Sequence, residues 1–213
     1  GEQLTTASLQ VPEPRLWTVH DRGFPHLYRL TVRAEVEGRV CDTYEGRFGF
    51  REMAIDEEWN WRLNGEPFFP RGTHFVPTRW LGSYTRDQIM RDVALLKQAN
   101  VNAVRLTSHV NRHELYEALD EAGIPVWQDF PLCGPQPEAV VDSEEFRLQC
   151  RSAVGVMVEQ LRNHPCIALW CGRDAGASER SELDDRLAAW FKELDPVRKA
   201  HPAVRARRAT WPR

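Results

Sequence analysis

The chain has 213 residues, 42% of them hydrophobic, and a formal net charge of −3. That length supports one sizeable core, or one domain plus part of another, and the near-balanced charge gives no sign of a surface dedicated to nucleic acid or membrane. No apolar run reaches the roughly 18 residues a bilayer-spanning helix needs, and the N-terminus lacks signal-peptide architecture.

The cysteines are Cys41, Cys133, Cys150, Cys166 and Cys171, an odd number without Cys-x-x-Cys or Cys/His ligand spacing. Reduced, mostly buried thiols and no metal site are expected, which favours a cytoplasmic setting. Eight tryptophans offer core bulk and flat faces that stack on sugars.

From Leu27 to Val36 apolar and polar residues alternate, the period of a half-buried strand. Glu37-Gly38-Arg39 marks a turn, and Val40 to Phe50 supplies further strand. Two or three strands make no stable sandwich alone, so residues 1–53 read as the last part of an all-β domain. Leu63-Asn64-Gly65-Glu66 then predicts a small hairpin with an Asn-Gly turn.

Beyond it, short apolar runs alternate with amphipathic helices. Thr85 opens the first helix with Gln88 as capping-box partner; Ile89, Val93 and Leu96 share a face and Asn100 closes it. Val101–Leu106 reads as a strand. Leu115 and Leu119 mark a second helix ended by Gly123, followed by a strand at Ile124–Phe130. Asp142 is the expected cap of a third helix, with Phe146, Cys150, Met157 and Leu161 inward. The stretch Leu161–Gly176 reads as helix end, tight turn and buried strand. Ser181 opens a fourth helix facing inward through Leu183, Leu187, Trp190 and Leu194.

Strands this short and apolar are buried on both faces, as in a parallel sheet. An open doubly wound sheet and a closed barrel both fit, although no Gly-x-Gly-x-x-Gly follows the first strand, which weakens the dinucleotide-binding option. In a barrel, chemistry sits just past the strand C-termini, here Thr73–Arg79, Arg105–Asn111, Asp129–Gln136 and Gly172–Ser178. From Arg198 to Arg213 the apolar pattern of a fifth strand disappears. The basic residues Arg198, Lys199, Arg205, Arg207, Arg208 and Arg213 read as a disordered or misplaced end rather than a nucleic-acid arm, suggesting a truncated or frame-shifted product or a cut fragment.

Seven stretches, in this order and spacing, resemble glycoside hydrolase family 2. They are Arg47-Phe48-Gly49-Phe50-Arg51, Leu63-Asn64-Gly65, Arg71-Gly72-Thr73-His74-Phe75-Val76-Pro77, Asn102-Ala103-Val104-Arg105, Tyr116 through Asp120-Glu121-Ala122-Gly123, Val126-Trp127-Gln128-Asp129-Phe130-Pro131, and Asn163-His164-Pro165-Cys166-Ile167-Ala168-Leu169-Trp170. The Trp-Gln-Asp-Phe-Pro stretch points to the β-mannosidase and exo-β-glucosaminidase branch. The resemblance implies the end of an immunoglobulin-like β-sandwich (residues 1–53) followed by the first half of a (β/α)8 TIM barrel (residues 54–213). It implies hydrolysis of β-mannosides or related β-glycosides with retention, a carbohydrate partner, and no metal or organic cofactor.

The family pattern Trp-x-x-x-Asn-Glu, counted from Trp170, puts the asparagine on Asp174 and the acid/base glutamate on Ala175. A methyl group cannot protonate a leaving oxygen, and Asp174, one residue early, is only a weak surrogate. The family's nucleophile would lie beyond residue 213. Arg105 is expected to hold a hydroxyl or support a carboxylate, or else to pair structurally with an acid. His109 and Asp129 are candidates for sugar hydroxyls. His74 stands where relatives often have asparagine. Trp127 and Trp170 read first as core fillers, with Trp170 also a candidate sugar contact.

The isolated chain is therefore expected to be inactive. The alternatives are a catalytically dead carbohydrate-binding or interaction protein, or a degenerate gene product. Four strands would leave two open edges, predicting a homo-oligomer, a partner supplying the remaining barrel, or poor solubility.

Overall fold

The computed structural model describes residues 6–76, 80–132, 143–176 and 181–205. The side chains of Leu81, Asp174, Ala175, Gly176, Val204 and Arg205 are outside the description. So are Cys133 and Asp142 altogether.

Strands β1 (Tyr28–Val36) and β2 (Arg39–Phe48) form an antiparallel hairpin. Its alternation predicts one buried face, yet Val32, Val36, Val40 and Tyr44 are more than half exposed. Only its base is packed, where Tyr28 stacks on Phe48 and meets Phe50 edge-on.

Strands β3 (Met53–Ile55), β4 (Trp61–Leu63) and β5 (Glu66–Phe68) form a small antiparallel sheet. The predicted Asn-Gly turn joins β4 to β5. Both turn residues have positive φ, 53° at Asn64 and 83° at Gly65, as a type I′ turn requires.

The third sheet is parallel and runs β6 (Gly72–His74), β7 (Ala103–Leu106), β8 (Val126–Asp129), β9 (Ile167–Gly176) and β10 (Lys199–Arg205), each strand beside the next in sequence. Helices α1 (Arg86–Gln98), α2 (His113–Ala122), α3 (Glu144–Leu161) and α4 (Glu182–Leu194) fill the crossovers. Strand order without reversal, joined by right-handed crossovers, keeps every helix on one face. That is the beginning of a barrel; a doubly wound sheet would reverse direction.

Strand β10 corrects the reading of the basic end. Lys199 to Arg205 pairs in parallel with β9 from Leu169 to Gly176. A sequence of Lys-Ala-His-Pro-Ala-Val-Arg hides this strand because its buried neighbours, and not its own apolarity, recruit it. The parallel sheet thus has five strands, not four.

Helix starts follow the capping chemistry. Thr85 and Gln88 form both halves of a capping box, and Ser181 with Asp184 forms another. The third helix corrects by one residue: Ser143 is the N-cap and accepts from the Phe146 N–H. Gly123 ends α2 at φ 68°. In α4 the inward residues are Leu183, Leu187 and Phe191, whereas Leu194 is 39% exposed. Among the described residues, no helix is long and apolar enough to cross a membrane.

The two faces of the parallel sheet carry separate cores. Val104, Leu106, Val126, Ile167 and Trp170 meet the helices. Ala168 and Leu169, with Trp127, meet Val19, Met53, Trp61, Leu63 and Phe68, so the small sheet plugs the N-terminal end of the half-barrel's interior.

Candidate functional site

Strand periodicity decides what reaches the interior. Arg105 pairs with Trp127, and Trp127 with Leu169, in adjacent registers, while Asp129 lies opposite Cys171. Arg105, Trp127, Leu169, Asp129 and Cys171 therefore share the inner face, while Leu106, Gln128 and Trp170 share the outer one. An open hollow of about 370 Å³ lies against this inner face, walled by Trp61, Thr73, His74, Arg105 and Trp127.

Arg105 and Asp129 meet there as a fork. Nε lies 3.1 Å from both carboxylate oxygens and Nη2 lies 2.8 Å from Oδ2. Both side chains are buried, at 10% and 0% exposure. Of the two roles expected for Arg105, pairing with an acid is the one seen, and two of the predicted site residues neutralise one another. The guanidinium also sits 5.1 Å above the Trp127 ring. Trp127 in turn stacks on Trp59 at 5.1 Å, and Trp59 is 5.0 Å from His201 of β10. Cys171 lies beside the fork; burial, then the Asp129 charge, pushes its thiol up to about 12, so it is no nucleophile near neutrality.

His74 is exposed at the rim of the hollow, with Nδ1 3.3 Å from the Thr107 hydroxyl. His109 lies in the loop after β7. Its carbonyl accepts from Gln128, but its Nε2 is buried without a hydrogen-bond partner. Two residues on, both amide atoms of Asn111 are likewise buried and unpartnered. Nothing in the sequence signals Asn111, because unmet hydrogen bonding exists only once the loop has folded.

Trp170 is the core filler it reads as first, and its candidacy as a sugar contact is corrected. It is fully buried on the helix side, stacked on Phe191 at 5.2 Å, with its indole N–H donating to Asp195 at 3.0 Å. Strand alternation turns it away from the interior, so it does not face the hollow. Asp174 and Ala175 belong to the backbone of β9, where Asp174 lies beside Val204. Their side chains lie outside the described residues. Just before them Arg173 forks onto Asp184 in α4, its Nε 2.5 Å from Oδ1, a buried pair the sequence did not announce.

Residues 63–209 match the family model described as "Glycosyl hydrolases family 2, TIM barrel domain", and residues 1–51 match "Glycosyl hydrolases family 2". A β-galactosidase of Pectobacterium atrosepticum is 32% identical over 200 residues, covering 91% of this chain and 19% of that protein. A putative β-glucuronidase of Formosa agariphila is 30% identical, with 89% and 24% covered. The solved β-D-mannosidase of Dictyoglomus thermophilum superposes with a TM-score of 0.78 at 28% identity, covering 92% of this chain and 27% of that one. The chain thus spans about a fifth to a quarter of the length of these relatives.

Proposed function

This chain belongs to glycoside hydrolase family 2, and from that premise we propose that it presents a sugar-binding half-barrel without the proton donor that makes such a barrel cleave. The observation that carries the reading is Ala175, standing in β9 where the family pattern counted from Trp170 puts glutamate. Retaining cleavage needs two carboxyl groups about 5–5.5 Å apart. Of the acids near this end of the sheet, Asp129 is held by Arg105 and Asp184 by Arg173. Asp174 is the surrogate donor that the family pattern offers.

The ligand is a terminal β-glycoside, with a β-mannoside first. Trp127, Arg105 and His74 on the wall of the hollow support this, as does the buried, unpartnered Nε2 of His109 in the loop after β7. We place the boundary between sandwich end and barrel at residues 53 and 54. We also infer that β6 and β10, standing at the two edges of the parallel sheet, pair with further strands supplied by another copy or by other barrel segments.

The test is to incubate the chain, and its Ala175→Glu variant, with a chromogenic β-mannoside, and to titrate both with the unmodified sugar. The expected result is binding without turnover by the unmodified chain; clear turnover sinks the reading. A second reading, an inert interaction protein, is favoured by the exposed apolar hairpin residues Val32, Val36, Val40 and Tyr44. Absence of sugar binding in the same titration supports it.

A further inference from the structure

On the outside of the half-barrel, beneath the β1–β2 hairpin, lies a second hollow of about 230 Å³ whose wall includes His113, Glu117, Asp120 and His164. His113 and Asp120 are seven residues apart on α2, two turns on one face. His164, from the turn before β9, lies along that face and touches both. Its Nδ1 is 2.5 Å from the Asp120 carboxylate, and its Nε2 is 3.3 Å from His113 Nδ1. The other nitrogen of His113 faces Glu117, with Nε2 3.8 Å from a carboxylate oxygen that Arg47 approaches equally closely.

Each imidazole thus turns its near nitrogen to the other ring, and the far nitrogen of His164 is hydrogen-bonded to an acid while that of His113 is at ion-pair distance from one. Carboxylates on the outer nitrogens fix tautomer and orientation in histidine metal sites and raise the basicity of the ligating nitrogen. Two nitrogens bound to one tetrahedral zinc at about 2.0–2.1 Å stand roughly 3.3–3.4 Å apart, the separation found here. We propose that His113 Nδ1 and His164 Nε2 form a binding site for a divalent transition cation such as Zn2+, with solvent from the hollow completing the coordination. Without the cation, one proton lies between the two rings as a hydrogen bond. On binding, the His113 proton moves from Nδ1 to Nε2, the nitrogen on the Glu117 side, and no proton need be released.

A neighbouring group, Asp120, His164 and Cys166, also has ligand atoms within 4.8 Å of one another. It is a poorer site. The Asp120 oxygens already take the Cys166 N–H at 2.8 Å and the His164 ring. Burial, then Asp120, holds the Cys166 thiol well above its usual range, so the thiolate ligand is not on offer.

The experiment titrates the metal-stripped chain with Zn2+ by calorimetry and with Co2+ by absorption, beside His113→Ala. His113 is 62% exposed, so this variant leaves the fold intact. One equivalent of zinc is expected, with affinity falling at least about tenfold in His113→Ala, and cobalt bands free of thiolate charge transfer. Asp120→Asn, where it folds, should weaken zinc by about 10–100-fold. No binding by the unaltered chain overturns the proposal, as does unchanged affinity in His113→Ala. A thiolate band overturns it too, by moving the metal to Cys166.

Discussion

The two ends of the parallel sheet are built to different standards. At the N-terminal end the turn Arg162–Ile167 is clamped from several sides. Arg51 donates to the Pro165 carbonyl at 2.6 Å and also to that of Ile167. Arg198 donates to the Arg162, His164 and Ile167 carbonyls, and Asp120 receives the Cys166 N–H and the His164 ring. At the C-terminal end the loop after β7 holds His109 and Asn111 with buried atoms that bond to nothing, and residue 175 is alanine. In barrels the first end carries stability and the second carries chemistry. In this chain the first end is tied down from several sides, and the second is where the proposed loss of the proton donor falls.

The largest way to break that comparison is at Asp120. Replacing it by alanine leaves the Cys166 N–H, His164 and the Trp17 contact around an emptied site, since Trp17 donates to the Asp120 carbonyl beside it. Breaking a buried pair costs about 3–5 kcal/mol. Urea denaturation should show a loss of that order, and a loss under about 1 kcal/mol would mean that the N-terminal clamp is not what holds the sheet.

Next comes an exception on the other side. Gly172 lies beyond the clamp, yet a Cβ there would stand 2.0 Å from the Pro202 carbonyl oxygen and 3.2 Å from that of Asp184. Both obstacles are backbone and cannot swing aside. Gly172→Ala should cost roughly 1–3 kcal/mol, the range of overpacking, and amide exchange should report β10 parting from β9. This close approach explains why β10 was illegible beforehand. The strand is recruited by a glycine-lined neighbour, while its own Lys, His, Pro and Arg carry none of the apolar run that revealed β7, β8 and β9. The helices were legible because capping boxes and 3.6-residue stripes are local. Ser143 displaced Asp142 as a cap because both are good caps and only backbone geometry separates them. The site was legible as residues but not as pairs. Arg105 and Asp129 each stand out in the sequence, whereas their fork depends on strand register, and that same register makes Trp170 the core filler it reads as first and removes it as a sugar contact.

A smaller effect separates the ends by pH. Asp195, at the clamp, is driven upward by burial but held below the usual carboxylate range overall by Arg198, 2.6 Å away, and by the Trp170 indole. A carboxyl whose folded pKa is depressed stabilises the fold above its unfolded value, near 3.9, and loses that contribution as pH falls through the folded one. Acid titration of Asp195→Asn against the unaltered chain should show the two stability curves converging below about pH 4. Parallel curves down to pH 2 would remove Asp195 from the clamp.

The finest test runs in the opposite direction. Asn111 is 8% exposed and both its amide atoms lack partners. A buried polar group left unpaired carries a desolvation penalty of about 1–3 kcal/mol, and an apolar group of similar shape does not. Asn111→Leu should therefore stabilise the chain by about 1 kcal/mol, read as a higher urea midpoint at unchanged slope. In the turn Arg162–Ile167 the carbonyls of Arg162, His164, Pro165 and Ile167 and the Cys166 N–H are all bonded, so the same kind of change has no comparable target there. If the substitution also weakens the sugar titration, the unpaired amide is held in readiness for a ligand and its instability is functional. If stability rises and binding is untouched, the unpaired amide has no part in sugar binding. A fall in stability would show that the loop needs the amide, and the contrast between the two ends would collapse at the residue where it is sharpest.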